Sequence, residues 1–89
     1  MENIFDPKKN RLNLSKHKCS LRDADGFEWD ASLEWLDTRE DYQEDRYVAL
    51  GPIGNKLYVV VFVERDGKRR IISLRPALSS EVEHYVKTI

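Results

Sequence analysis

The sequence predicts an α+β fold: two N-terminal helices, a three- to four-stranded antiparallel sheet, and a C-terminal helix. Three observations carry this. Helix signals gather between residues 6 and 29 and again after Ser79, while strand signals gather between residues 32 and 75. The run Leu57–Val63 is wholly apolar, as suits a central strand. Asp66-Gly67 is a strong two-residue hairpin turn. Helices and strands are thus segregated rather than alternating, which separates α+β from α/β.

The elements follow in order. Asp6 is suited to cap a helix and Pro7 to occupy its first position, so a helix is expected from there to about Lys16. Its apolar anchors are Leu12 and Leu14, a thin buried stripe. Ser20-Leu21-Arg22-Asp23 resembles a capping box, and Leu21, Ala24 and Phe27 recur at helical spacing, giving a short second helix that ends near Trp29. Ser32–Leu36 is a weak strand candidate, and Asp37–Asp45 reads as an acidic loop. Arg46–Leu50 reads as a strand and Gly51-Pro52-Ile53-Gly54-Asn55 as a turn. Leu57–Val63 and Arg69–Arg75 form the hairpin, which Pro76 ends. Ser79 or Ser80 caps a last helix through Lys87, with Val82, Tyr85, Val86 and Ile89 as its apolar side.

At 89 residues the chain makes one domain, residues 1–89, and its 40% hydrophobic content supports a core despite 35% charge. The seven-residue apolar run falls far short of the ~20 residues a membrane helix requires. The start, Met1–Lys9, has no apolar segment of a secretory signal. Cys19 is the single cysteine, so no internal disulfide forms, and a cytoplasmic protein without membrane association is expected.

The net charge of −1 conceals a strong pattern. Pro7–Arg22 carries Lys8, Lys9, Arg11, Lys16, Lys18 and Arg22 without an acid. Asp23–Asp45 is acidic with one base, Arg39. Lys56–Arg75 carries Lys56, Arg65, Lys68, Arg69, Arg70 and Arg75 against Glu64 and Asp66. If the two basic blocks meet in space, they make a phosphate-attracting patch.

With Asp66 and Gly67 as turn residues, Glu64 lies opposite Arg69, Phe62 opposite Ile71, Val60 opposite Ser73 and Tyr58 opposite Arg75. One face then holds Val59, Val61, Val63, Ile72 and Leu74, a core for helices to cover. The other holds Tyr58, Val60, Phe62, Glu64, Arg69, Ile71, Ser73 and Arg75. An arginine beside a serine and a tyrosine suits a phosphate-bearing ligand with a flat base, but the geometry alone favours a half-exposed face on which Arg75 lies over Tyr58.

No metal signature, phosphate-binding glycine loop or nucleophile elbow is present, so neither metal nor cofactor is expected. Metal-free cleavage of RNA needs a base for the 2′-OH, an acid for the leaving oxygen and cations for the charge on phosphorus. His17, Glu64, Tyr58, Tyr85 and several arginines are the available parts.

Three stretches carry a resemblance when taken in series. The first is Phe5-Asp6-Pro7-Lys8 with Asn10, Asn13 and Lys16-His17. The second is Asp41-Tyr42-Gln43-Glu44-Asp45-Arg46 followed by Gly51. The third is Glu64-Arg65, then Arg70-Ile71-Ile72-Ser73-Leu74-Arg75-Pro76-Ala77, Glu81 and Tyr85. Together, across roughly residues 4–86, they resemble the BrnT family of bacterial toxins. The resemblance implies a RelE-like fold and a ribonuclease that works without a metal. It also implies neutralisation by a cognate antitoxin, commonly with a ribbon-helix-helix domain, through which the pair reaches operator DNA. Carried over, His17, Glu64, Arg65, Arg75 and Tyr85 are the expected catalytic residues, and Lys16, Arg46, Tyr58, Arg70 and Ser73 the expected RNA contacts. The chain departs from the pattern usual for the family at Gln43, Leu74 and Pro76, and its last helix lacks the usual cations. These departures support a second expectation, of a weakened or inactive member that acts as an interaction and regulatory module.

Overall fold

A computed structural model describes residues 1–89. The elements are β1 (Glu2–Ile4), α1 (Pro7–His17), a 3₁₀ turn at Leu21–Gly26, a second at Trp29–Ala31, β2 (Leu33–Leu36), β3 (Tyr47–Ile53), β4 (Lys56–Arg65), β5 (Lys68–Pro76) and α2 (Ser79–Thr88). The architecture is α+β, with one five-stranded sheet ordered β1-β5-β4-β3-β2. No helix is long and apolar enough to cross a membrane.

The sheet is larger and less uniform than the expected three or four antiparallel strands. The added strand, β1, pairs parallel to the start of β5, Glu2 with Lys68 through Ile4 with Arg70. Three residues give too short a pattern to recognise. The expected second helix is instead a 3₁₀ turn, capped by the Ser20 hydroxyl, which accepts from the Arg22 N–H. Leu21, Ala24 and Phe27, three apart, are all buried on one side, as the three-residue repeat of a 3₁₀ helix requires. The turn expected at residues 51–55 is confined to Gly54-Asn55, and Gly51 to Ile53 continue β3. At Gly51 a β-carbon would lie 2.9 Å from both Phe27 Cζ and Ser32 Cβ, so glycine is required there for close packing.

The β4–β5 hairpin turns at Asp66-Gly67, both with positive φ (55° and 75°), the backbone of a type I′ turn. Its register holds from Arg65–Lys68 to Phe62–Ile71 and then slips by one: Val61 faces Ser73, Val60 faces Leu74, Val59 faces Arg75 and Tyr58 faces Pro76. Ile72 is the extra residue, a β-bulge. The bulge overturns the expected pairs beyond Ile71 and carries Leu74 to the side of Val60 and Phe62. On β4 it is this side, not the expected Val59, Val61 and Val63 side, that Leu21, Ala24 and Phe27 cover. Val60, Phe62, Ile71 and Leu74 form the main core with Leu21, Ala24, Phe27 and Ala49. Val48, Leu50 and Val59 form a smaller cluster on the opposite face, against Val61, Ala77 and Tyr85. Ser73 and Arg75 join this second face, away from Phe62 and Ile71.

Helix α1 begins as expected, with the Asp6 carboxylate accepting from the Lys8 N–H. Its packing differs. Leu12 and Leu14 are exposed, and the buried residue is Asn13. The Asn13 amide donates to the Leu74 carbonyl (2.8 Å) and accepts from the Leu74 N–H (3.1 Å). It also donates to the Cys19 carbonyl at 2.9 Å. Because β1 pairs only with residues 68–70, the outer edge of β5 is open at Leu74, and the Asn13 amide closes it as a neighbouring strand would. The apolar side expected for α2 is also revised: Tyr85 packs on the second face, while Val86 and Ile89 stay exposed.

Candidate active-site groove

The bulge and the Asn13 link together place the C-terminal end of α1 beside the β5 segment that follows Ile72. Between them and β2 lies a cleft of about 510 Å³. Its floor is apolar: Val48, Val59 and Val61. Lys16 and His17 enter from α1, Ser73 and Arg75 from β5, Glu81 from α2, and Asp37 and Arg39 from the loop after β2. Trp35 and Leu36 stand at the rim, each nearly half exposed.

The electrostatics divide into three. His17 is held below its ordinary value, first by burial and then by the charges of Lys16 and Arg75. Each of these favours the neutral imidazole, the form able to accept a proton. Arg75 forms a two-pronged ion pair with Glu81, Nη1 to Oε1 at 2.8 Å and Nη2 to Oε2 at 2.9 Å. Hydrogen bonding to Glu81 raises Arg75, and the same bonds, with the Leu78 N–H, lower Glu81. Asp37 is a buried carboxylate that accepts from Arg39 Nε (2.9 Å), Nη2 (2.7 Å) and backbone N–H (3.1 Å), and from the Tyr42 hydroxyl at 3.3 Å. These bonds, the Arg39 side chain foremost, hold Asp37 at about 2.

Since Asp37 ordinarily titrates near 3.8, its folded-state charge contributes stability that is fully present above that value and is lost as pH falls toward 2. The contribution is on the order of 1–2 kcal/mol, because Asp37 is buried but its Arg39 partner is largely exposed to solvent screening. An Asp37→Asn chain is expected to show a flatter stability profile between pH 4 and 2 in acid-dependent urea unfolding; an unchanged profile would contradict this.

Two further depressions adjoin the cleft. One shares Lys16, His17 and Ser73 with it and adds Lys9 and Ile72. The next shares Lys9 and Ile72 and adds Arg46 and Arg70. Lys9 and Lys16 of the first basic block and Arg70 and Arg75 of the second thus line three adjoining depressions, which also carry Asp37, Asp41, Glu44 and Glu81. No group of three or more His, Cys, Asp or Glu side chains converges as a metal cluster would.

The family described as "Ribonuclease toxin, BrnT, of type II toxin-antitoxin system" matches residues 5–81. The chain belongs to the BrnT family. The fold agrees: the crystal structure of the Brucella abortus ribonuclease toxin BrnT superposes with a TM-score of 0.69. That likeness has 20% identity and covers 89% of this chain and all of the other. No curated protein matches the sequence. BrnT proteins are ribonuclease toxins of type II systems, in which a toxin is paired with an antitoxin.

In this BrnT chain the residues expected from sequence fall into three places. Lys16, His17, Ser73 and Arg75 share the cleft. Arg46 and Arg70 line the far end of the groove, where the Arg46 guanidinium sits 4.1 Å from the Tyr42 ring centre. The others lie elsewhere. Glu64 faces Arg69 near the hairpin tip, and Arg65 pairs with Glu44. Tyr58 packs against the main core, and the Tyr85 hydroxyl donates to the Ala31 carbonyl at 2.6 Å. The structure adds Asp37, Arg39, Glu81 and Trp35 to the cleft. Of these, Glu81 stood in the motif series and Arg39 was the lone base in the acidic stretch, while Asp37 and Trp35 carried no such signal.

Proposed function

We propose that this chain is a metal-independent endoribonuclease toxin of RelE-like fold that cuts RNA through attack of a 2′-OH on the adjacent phosphate. The observation that supports this most is the groove: a proton-accepting His17 beside Lys16, Ser73 and Arg75 over an apolar floor. His17 takes the 2′-OH proton as that oxygen bonds to phosphorus. Arg75 and Lys16 stabilise the negative charge that builds on the phosphoryl oxygens, and the Ser73 hydroxyl donates to one of them. The bond from phosphorus to the 5′-oxygen then breaks, and the leaving oxygen takes a proton from solvent or from Lys16. The products are a 2′,3′-cyclic phosphate and a 5′-hydroxyl. Lys9, Arg46 and Arg70 extend the track for the flanking strand, and Arg65 lies beyond its end. Glu64 and Tyr85 act outside the bond-breaking step, Tyr85 by securing α2. The toxin works in the cytoplasm and is neutralised by a cognate antitoxin with a ribbon-helix-helix domain, through which the pair binds operator DNA.

The ion pair of Arg75 with Glu81 favours a second reading. Both prongs of the guanidinium are engaged, as in a weakened or inactive member that serves as an interaction module. Expression from a tightly repressed promoter, beside Arg75→Ala, separates the two. Growth arrest with decay of total RNA, lost in the variant, supports the nuclease. Normal growth with abundant folded protein overturns it and favours the module.

A further inference from the structure

We propose that Arg39 is a second phosphate-gripping arginine of the groove, held in place by the buried Asp37 as its positioning residue. The inference deepens the ribonuclease reading and rests on the groove being the RNA site.

Arg39 and Asp37 form an unequal pair: the Arg39 side chain is 72% exposed and the Asp37 side chain 2%. An exposed arginine gains little from a surface ion pair, and burying a carboxylate costs several kcal/mol unless its lone pairs are filled. Here they are filled by four donors, three of them from Arg39 itself. The backbone is also tied, since the Asp37 N–H donates to the Arg46 carbonyl at 2.7 Å. The result is a rigid base beneath an exposed cation at the mouth of the cleft. Asp37 takes Nε and one Nη2 proton, so both Nη1 protons and the second Nη2 proton of Arg39 face outward. Those donors match the spacing of two phosphate oxygens.

The opposite wall carries the second half of the arrangement. Arg75 lines the same cleft, so both guanidinium groups border the space that a bound strand would fill. Each guanidinium already has a carboxylate partner, Arg39 with Asp37 and Arg75 with Glu81, and a phosphate in the cleft would be held by the N–H groups those pairs leave over. A backbone phosphodiester is the anion that also suits Trp35 at the rim, where a flat base finds a stacking surface.

The test is binding of a short 2′-O-methyl oligoribonucleotide, which lacks the nucleophile and stays uncut, measured by fluorescence anisotropy across a salt series. Arg39→Ala is expected to weaken binding about tenfold and to reduce the salt slope by about 0.7, the value of one single-strand phosphate contact. For Asp37→Asn, removal of a negative charge beside a phosphate would by itself tighten binding. A positioning role predicts the reverse, weaker binding at a temperature where the variant is folded. Addition of Arg39→Ala to that variant should then cost less than it does alone. Equal affinity and slope for wild type and Arg39→Ala overturns the inference, and so does tighter binding by Asp37→Asn. Wild type that binds the probe without cutting RNA would sink the ribonuclease reading while leaving this inference standing. Wild type that cuts RNA with Arg39→Ala unimpaired in binding would do the opposite. Absence of binding by wild type at low salt would remove both.

Discussion

A His17→Ala chain is expected to retain its fold and lose RNA cleavage by roughly two to four orders of magnitude, the usual contribution of a positioned proton acceptor. Stability should change little, because the imidazole makes no hydrogen bond to the rest of the domain and is only partly buried. The pH profile carries a second signature. Burial, Lys16 and Arg75 all lower the His17 value beneath its ordinary 6.5. For a group that acts in its neutral form, the rate then rises with pH through a midpoint below 6.5. A single-turnover cleavage profile with its acid limb above 6.5 would rule out His17 as the base. Persistence of that limb in His17→Ala would assign it to another group.

The largest stability effect is expected at Asn13. Alanine there removes three hydrogen bonds at once and leaves the Leu74 N–H and carbonyl buried without partners. Unpartnered buried backbone groups carry their desolvation cost, so the loss should be about 2–4 kcal/mol. For a domain of this size that corresponds to a fall in melting temperature of roughly 10–25 °C. Asn13→Asp should be no better, because a carboxylate accepts from the Leu74 N–H but has nothing to donate to the two carbonyls. A drop of only a few degrees in a thermal melt of Asn13→Ala would mean that the α1–β5 link contributes little.

The contrast between these residues shows which physics a sequence exposes. The Asp66-Gly67 turn was legible because both positions require positive φ, a local demand that few residue pairs meet. The start of α1 was legible through Asp6 and Pro7 for the same local reason. The bulge at Ile72 was not, since Ile71 and Ile72 are both good strand residues and nothing at Ile72 announces an extra residue. That single slip moved Ser73 and Arg75 to a different face from Phe62 and Ile71, which alternation alone joins. Asn13 reads as an ordinary polar helix residue, because its partner is 61 positions away. The candidate cleft was half visible. Lys16, His17, Ser73 and Arg75 followed from the family resemblance. Glu81 stood in the motif series beside Arg75, whereas Asp37 was hidden because its burial, not its two-residue spacing from Arg39, is what the tertiary fold supplies.

The groove also draws its walls from distant parts of the chain: Lys16 and His17 on one side, Ser73, Arg75 and Glu81 on the other. During translation the first wall exists long before the second. At synthesis rates of about 5–20 residues per second, roughly 3–12 s separate His17 from Arg75. Through that interval α1 has no β5 edge for Asn13 to close, and the cationic track is in two disconnected pieces. On the ribonuclease reading, a nascent chain that has not reached Arg75 therefore lacks a complete site. The delay is written into the order of the elements along the chain.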